Sequence, residues 1–214
     1  MRIQLALDTV TLYEALKLAE ELIGFVDIIE IGTPLIIAEG VGAVRGMRAE
    51  FAGAAILADT KIMDGGYAEA ALAFEAGADI ITVLGAAHDA TVANAVRAAK
   101  DCGGLVMADM MAVKGVKDRA AALDVLGADY ICAHTAFDLR DTGMNPLEEL
   151  KQVTEVAGCA KAAAAGGINA GLMPLVTAYG PAIVIVGGAV TNAPDRKKAA
   201  KELRDCIRPG PLLK

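Results

Sequence analysis

Ala54-Ala55-Ile56-Leu57-Ala58-Asp59-Thr60-Lys61-Ile62-Met63-Asp64 is an apolar run that closes on two carboxylates and an amine. The run reads as a buried strand, and charges at the end of such a strand are costly unless they pair or serve a ligand. Side chains two apart on a strand share a face, so Asp59 and Lys61 point the same way. Asp64 falls in the turn beyond. An acid–base cluster at the C-terminal end of a buried strand is where a barrel keeps its chemistry.

Outward from this stretch, short apolar runs alternate with longer helix-period segments along the whole chain. Strands are predicted at Ile3–Asp8, Ile28–Gly32, Ala55–Lys61, Ile80–Gly85, Leu105–Met111, Tyr130–Ala136, Ala162–Gly167 and Ile183–Gly188. Helical stretches include Leu12–Ile23, Ala68–Ala76, Ala90–Cys102 and Pro194–Ile207. Thr33-Pro34 predicts a helix cap before a proline in the first turn, and Asn192 a second one before Ala193-Pro194. Gly24, Gly53, Gly77, Gly103 and Gly127 read as helix C-terminal turns. Eight β-then-α units with no linker predict a TIM (β/α)8 barrel, one domain over residues 1–214, somewhat shorter than the typical ~250 residues. A doubly wound open sheet is the alternative. Its dinucleotide fingerprint is missing after the first strand, where Leu7-Asp8-Thr9-Val10-Thr11 has no glycine.

Composition narrows the function classes. Hydrophobic residues make up 55% of the chain but aromatics only 4%, so the core must be Ala, Ile, Leu and Val, as in parallel sheets covered by small-residue helices. The net charge of −7, with no basic run, argues against nucleic acid or an anionic membrane as partner. An anionic small molecule remains open to it, because backbone N–H groups can hold an anion without net positive charge. Cys102, Cys132, Cys159 and Cys206 lie far apart with no C-x-x-C pair, and read as buried, reduced thiols. Asp8 interrupts the N-terminal apolar stretch, which has no signal-peptide form, and no apolar run approaches the roughly 20 residues of a membrane span. The expectation is a soluble, cytoplasmic protein.

Strand periodicity supplies the sharpest internal signal. Gln4, Ala6 and Asp8 share a face, as do Ile28, Glu30 and Gly32; Leu57, Asp59 and Lys61; Met107, Asp109 and Met111; and Cys132, His134 and Ala136. Each set is apolar or small and then carries an ionisable group near its C-terminal end, with no scatter toward the N-terminal ends. In a barrel these ends converge on the face where active sites are built. Gly166-Gly167 and Gly187-Gly188 follow the seventh and eighth strands, where many barrels of this kind bind phosphate through backbone N–H groups. His88 reads as a capping or loop residue, and Met107, Met110 and Met111 as core filling.

Asp59-x-Lys61-x-x-Asp64, preceded by Asp8 and Glu30, resembles the strand end of the orotidine-5′-phosphate decarboxylase superfamily. Val26–Pro34, Thr82-Val83-Leu84-Gly85 and the Ala164–Gly167 turn are similar to the 3-hexulose-6-phosphate synthase family within it. The resemblance runs to about Ile207. It implies Mg²⁺ held by Glu30 and Asp59, and a protonated Lys61 beside an enediolate. It implies further that Asp8 hydrogen-bonds the sugar and that Asp109 and His134 transfer protons. Gly166, Gly167, Gly187 and Gly188 would hold the phosphate. It also implies a homodimer in which Asp64 reaches the partner's site. The related 3-keto-L-gulonate-6-phosphate decarboxylases carry a glutamate where Asp109 stands and an arginine where Phe137 stands, and Gly188 replaces an arginine common in that loop.

The resemblance therefore implies a Mg²⁺-dependent aldolase that joins formaldehyde to D-ribulose 5-phosphate, reversibly. Decarboxylation of 3-keto-L-gulonate 6-phosphate through the same intermediate is the alternative. A catalytically idle sugar-phosphate-binding protein is a third reading, which needs the glycine pairs but gives no reason for the acid–base set. Which of Asp109 and His134 takes the proton is open at this level.

Overall fold

Eight parallel strands pair in chain order and close, β8 against β1, in a computed structural model that describes residues 1–207. The strands are β1 (Arg2–Leu7), β2 (Ile28–Ile31), β3 (Ala55–Ile62), β4 (Ile80–Leu84), β5 (Leu105–Asp109), β6 (Tyr130–His134), β7 (Lys161–Ala165) and β8 (Ile183–Val186). Around them run α1 (Leu12–Leu22), α2 (Thr33–Glu39), α3 (Gly42–Glu50), α4 (Gly66–Glu75) and α5 (Asp89–Cys102), followed by α6 (Val116–Leu126), α7 (Leu147–Val156), α8 (Met173–Thr177), α9 (Gly188–Thr191) and α10 (Arg196–Ile207). This is the TIM barrel that the alternation predicts. Residues 208–214 of the expected 1–214 span lie outside the described residues.

Seven of the predicted strands overrun by a residue or two at their C-terminal ends. Asp8, Gly32, Gly85, Met110–Met111, Thr135–Ala136, Gly166–Gly167 and Gly187 belong to the connections that follow, and Gly188 already begins α9. Several of these ends still bond to the neighbouring strand, as Gly85 N–H does to Asp109 O at 2.7 Å and Met110 N–H to Cys132 O at 2.9 Å, so alternation continues briefly beyond the strand itself. Two helix starts also differ. Gly32 caps α2, with Thr33 already helical and its hydroxyl committed elsewhere. Asn192 ends α9, and α10 begins at Arg196, where Asp195 Oδ1 accepts the Lys198 N–H at 2.9 Å. Gly103 and Gly127 end α5 and α6 in left-handed conformation, as expected. Gly24 and Gly53 do not use that region.

Two apolar layers follow from strand alternation. Outward-facing Leu5, Ile29, Ile56 and Val106 pack under the helices, while Ile28, Leu57, Ile80, Met107, Ile183 and Ile185 fill the barrel interior with Tyr130 below them. Arg2 Nη2 donates to the Tyr130 hydroxyl, closing the bottom. Acids do occur at the N-terminal strand ends, contrary to the sequence expectation. Asp27, Asp79 and Asp129 each accept the backbone N–H of the preceding strand, from Ile3, Ile56 and Val106 at 2.7–2.8 Å. They sit just before their own strands, outside the face pattern, and they satisfy ladder ends that have no strand partner. Burial raises the Asp27 carboxyl, but the Arg204 guanidinium beside it outweighs this and leaves it below its ordinary value.

The thiols differ from expectation as well. Cys132 is buried in the barrel, while Cys102, Cys159 and Cys206 are exposed, all four free. Among the described residues no helix is long and apolar enough to cross a membrane.

Candidate active site

All five predicted strand faces open into one cavity of about 870 Å³ at the C-terminal mouth. It is lined by Asp8, Glu30, Asp59, Lys61, Asp109 and His134, and by the four predicted glycines, Gly166, Gly167, Gly187 and Gly188. Met111, expected in the core, is half-buried and lines the cavity wall. Asp64 is the exception: it is exposed, outside the cavity, and its Oδ1 accepts the Gly65 N–H. A second cavity of similar volume lies beside the first, between the turns after β4 and β5. Its Arg119 is committed to Gly85 O, Ala87 O and Asp89, and none of the acid–base set reaches it.

The charged groups form one continuous chain. Lys61 Nζ donates to Asp59 Oδ2 at 2.5 Å and to Asp109 Oδ2 at 3.3 Å. His134 Nδ1 lies 2.8 Å from the same Asp109 oxygen. A carboxylate only accepts, so Nδ1 carries a proton, and Nε2 is the ring nitrogen outside that bond, on a residue that lines the cavity. Asp109 Oδ1 accepts the Met111 N–H at 2.9 Å. Burial alone would raise the Asp109 carboxyl, but the bond and charge of His134, with Lys61 behind it, hold it below its ordinary value. Burial would likewise lower the Lys61 amine, and the charges of Asp59 and Asp109 overcome it and push the amine well above a free lysine. Lys61 is a cation throughout the neutral range.

Glu30 lies on the other side of Asp59 in this group and is 6% exposed. Its Oε2 accepts from Gln4 Nε2 at 2.6 Å, and Gln4 Oε1 has no hydrogen-bond partner. Burial first, then the Asp59 charge, push the Glu30 carboxyl up to about 8. These two carboxylates, beside an unpartnered amide oxygen, make an oxygen-only donor set that suits a hard divalent cation. Among the described residues no group of three or more His, Cys, Asp or Glu side chains could hold a metal. A cation here would rely on two carboxylates and complete its shell from water or substrate, as Mg²⁺ does.

The site depends on backbone features that alternation does not reveal. Lys61 has φ 45°, a left-handed conformation uncommon outside glycine, which costs about 1–3 kcal/mol and persists only where surroundings enforce it. A Cβ on Gly32 would stand 2.3 Å from Asp8 Oδ1 and 2.8 Å from Leu7 O, so this glycine makes room for the Asp8 carboxylate. Gly187 faces the other oxygen of Asp8. Gly166 has a packing reason of its own: at φ 99° its Cβ would meet Thr135 O at 2.3 Å. Thr33 and Thr82 are functional neighbours that the sequence reading missed. Thr33 Oγ1 donates to Asp59 Oδ2, and Thr82 Oγ1 to Asp59 Oδ1, each at 2.8 Å. A polar residue on the inward face of the otherwise apolar β4 was the available signal for Thr82.

The chain is similar to known proteins over nearly its whole length. A Bacillus subtilis (strain 168) protein named 3-hexulose-6-phosphate synthase is 45% identical over 210 residues, covering 98% of this chain and all of its own length. A solved 3-hexulose-6-phosphate synthase from Salmonella typhimurium superposes with a TM-score of 0.94 at 40% identity, covering 97% of this chain and 98% of its own. A 3-keto-L-gulonate-6-phosphate decarboxylase from Vibrio cholerae follows the same fold with a TM-score of 0.86 at 31% identity, covering 96% of each chain. The family model described as orotidine 5′-phosphate decarboxylase / HUMPS matches residues 1–203, and the chain belongs to that family.

Proposed function

We propose that this protein is a Mg²⁺-dependent aldolase that condenses formaldehyde with D-ribulose 5-phosphate to D-arabino-3-hexulose 6-phosphate, and catalyses the reverse cleavage. The carrying observation is the Asp59–Lys61–Asp109–His134 chain, which sets a cation and an imidazole on one cavity wall. The names of the similar proteins support the same reading.

In this mechanism the phosphate lies against the Gly166–Gly167 and Gly187–Gly188 turns, and Asp8 hydrogen-bonds the sugar. His134 Nε2 takes the proton from C1 of the sugar. Asp109 is poorly placed to do so, since its oxygens already accept from Lys61, His134 and Met111. The Lys61 ammonium balances the charge that grows on the enediolate oxygens, in a geometry held before substrate arrives. A Mg²⁺ ion held by Glu30 and Asp59 would supply Lewis-acid stabilisation of the sugar oxygens. C1 then forms its bond to the formaldehyde carbon while the sugar's C2 carbonyl re-forms, and His134 returns its proton to the oxygen that came from formaldehyde.

Decarboxylation of 3-keto-L-gulonate 6-phosphate needs a proton donor at that carbon in place of the aldehyde. Phe137 lines the cavity mouth and offers only an apolar ring. Formaldehyde condensation should therefore exceed decarboxylation by at least roughly tenfold in kcat/KM, or ~1.4 kcal/mol. Incubating the purified protein with each sugar phosphate and Mg²⁺, with product identification, measures the ratio. A preference for the keto-gulonate phosphate would transfer the assignment to the decarboxylase, and no turnover of either would leave a binding protein.

We further propose a cytoplasmic homodimer with shared sites, because Asp64 is exposed one turn past the strand end and outside its own cavity. Sedimentation at working concentration should show a dimer. A fully active monomer would rule this out.

A further inference from the structure

Thr82 carries more of the site than its place on a wall strand suggests. β3 and β4 pair regularly at Leu57↔Ile80 and Ala58↔Ile81, then resume at Ile62↔Val83. Asp59, Thr60 and Lys61 thus lie opposite Thr82 alone. A slip of this kind leaves backbone groups without ladder partners. Here hydroxyls replace the ladder. Lys61 N–H donates to Thr82 Oγ1 at 2.9 Å, and Thr60 Oγ1 donates to Thr82 O at 2.8 Å.

The Thr82 hydroxyl also donates to Asp59 Oδ1 at 2.8 Å. A hydroxyl has one proton, and the Lys61 N–H occupies a lone pair, so the proton is committed to the carboxylate. One buried side chain, 4% exposed, therefore fixes both the left-handed backbone at Lys61 and the rotation of the Asp59 carboxylate. Valine would fill the same volume and satisfy neither bond.

We propose that Thr82 is a positioning residue for the reaction, acting through Asp59 and Lys61; this rests on the aldolase reading given above. Its hydroxyl holds the bulge of β3 so that the ammonium and the carboxylate meet the substrate in register. The step it serves is enediolate formation, where a misplaced cation costs rate more than affinity.

Thr82→Val should lower kcat about thirtyfold, ~2 kcal/mol, while KM for ribulose 5-phosphate stays within about threefold. Thr82→Ser should remain within about threefold of the parent in both constants. Independently of activity, the Lys61 amide should exchange with solvent at least about tenfold faster in Thr82→Val and not in Thr82→Ser. Where Thr82→Val fails to fold, Thr82→Ala is measured in its place, with the same expectation. A lowered melting temperature with unchanged kcat per folded molecule would overturn the proposal, as would a serine variant as slow as the valine one. Should the parent lack aldolase activity, the proposed function falls, while Lys61 amide protection still decides whether Thr82 locks the bulge: unchanged protection overturns the lock.

Discussion

Lys61→Ala should lower kcat by at least about a thousandfold while leaving ribulose 5-phosphate binding within a few-fold of the parent. At 1.36 kcal/mol per decade this is roughly 4 kcal/mol of transition-state stabilisation. Losing one oxyanion donor in a preorganised site typically costs about 10²–10³ in rate. Lys61 adds to that a full charge, held in place by Asp59 and Asp109 before substrate binds. Its removal also leaves those two buried carboxylates facing each other without the cation between them. Lys61→Arg should rescue little, because a planar guanidinium cannot take the place of a compact ammonium between two carboxylates. Steady-state kinetics paired with calorimetric binding of the sugar phosphate makes the separation. A rate within tenfold of the parent would remove Lys61 from the mechanism.

Asp59→Asn should produce the second large effect, through the metal. In the parent, chelation should abolish turnover and added Mg²⁺ restore it. In the variant, the Mg²⁺ concentration for half-activation should rise by at least about a hundredfold, with kcat depressed as well. The physical cause is twofold. One of the two carboxylates available to a hard cation loses its charge. The amide must also turn its NH₂ either toward Thr82 Oγ1 or toward both Thr33 Oγ1 and Lys61 Nζ, all of which now donate to the carboxylate. Undiminished turnover in excess chelator would contradict the metal assignment outright, and an unchanged Mg²⁺ requirement in Asp59→Asn would move the ion elsewhere.

Much of the barrel and most of its site could be read before any coordinates. Alternation placed Asp8, Glu30, Asp59, Lys61, Asp109 and His134 on inward faces, and all six line the cavity. The reading even survived the irregularity in β3. The slip there sets three residues of β3 opposite one of β4, so inward and outward positions keep their parity on both sides of it. The errors have local causes too. Asp27, Asp79 and Asp129 sit one residue ahead of their strands, so they belong to no inward or outward face set. Thr33-Pro34 looks like a cap and first turn, but the Thr33 hydroxyl finds a better acceptor in Asp59 than in its own helix.

The amino-acid sequence by itself determined the order of strands and helices, the apolar layers and which side chains face inward. Those properties depend on periods of two and 3.6 residues, and neighbouring positions are enough to express them. Only the tertiary structure decided how the inward groups engage one another. The bonds from Thr82 and Thr33 to Asp59 span 23 and 26 residues, and the Lys61–Asp109 pair spans 48. Their lengths depend on strand register and on the left-handed turn at Lys61, which no local period encodes. The same holds for Gly32, whose missing side chain has meaning only because closure of β2 against β1 brings it against Asp8.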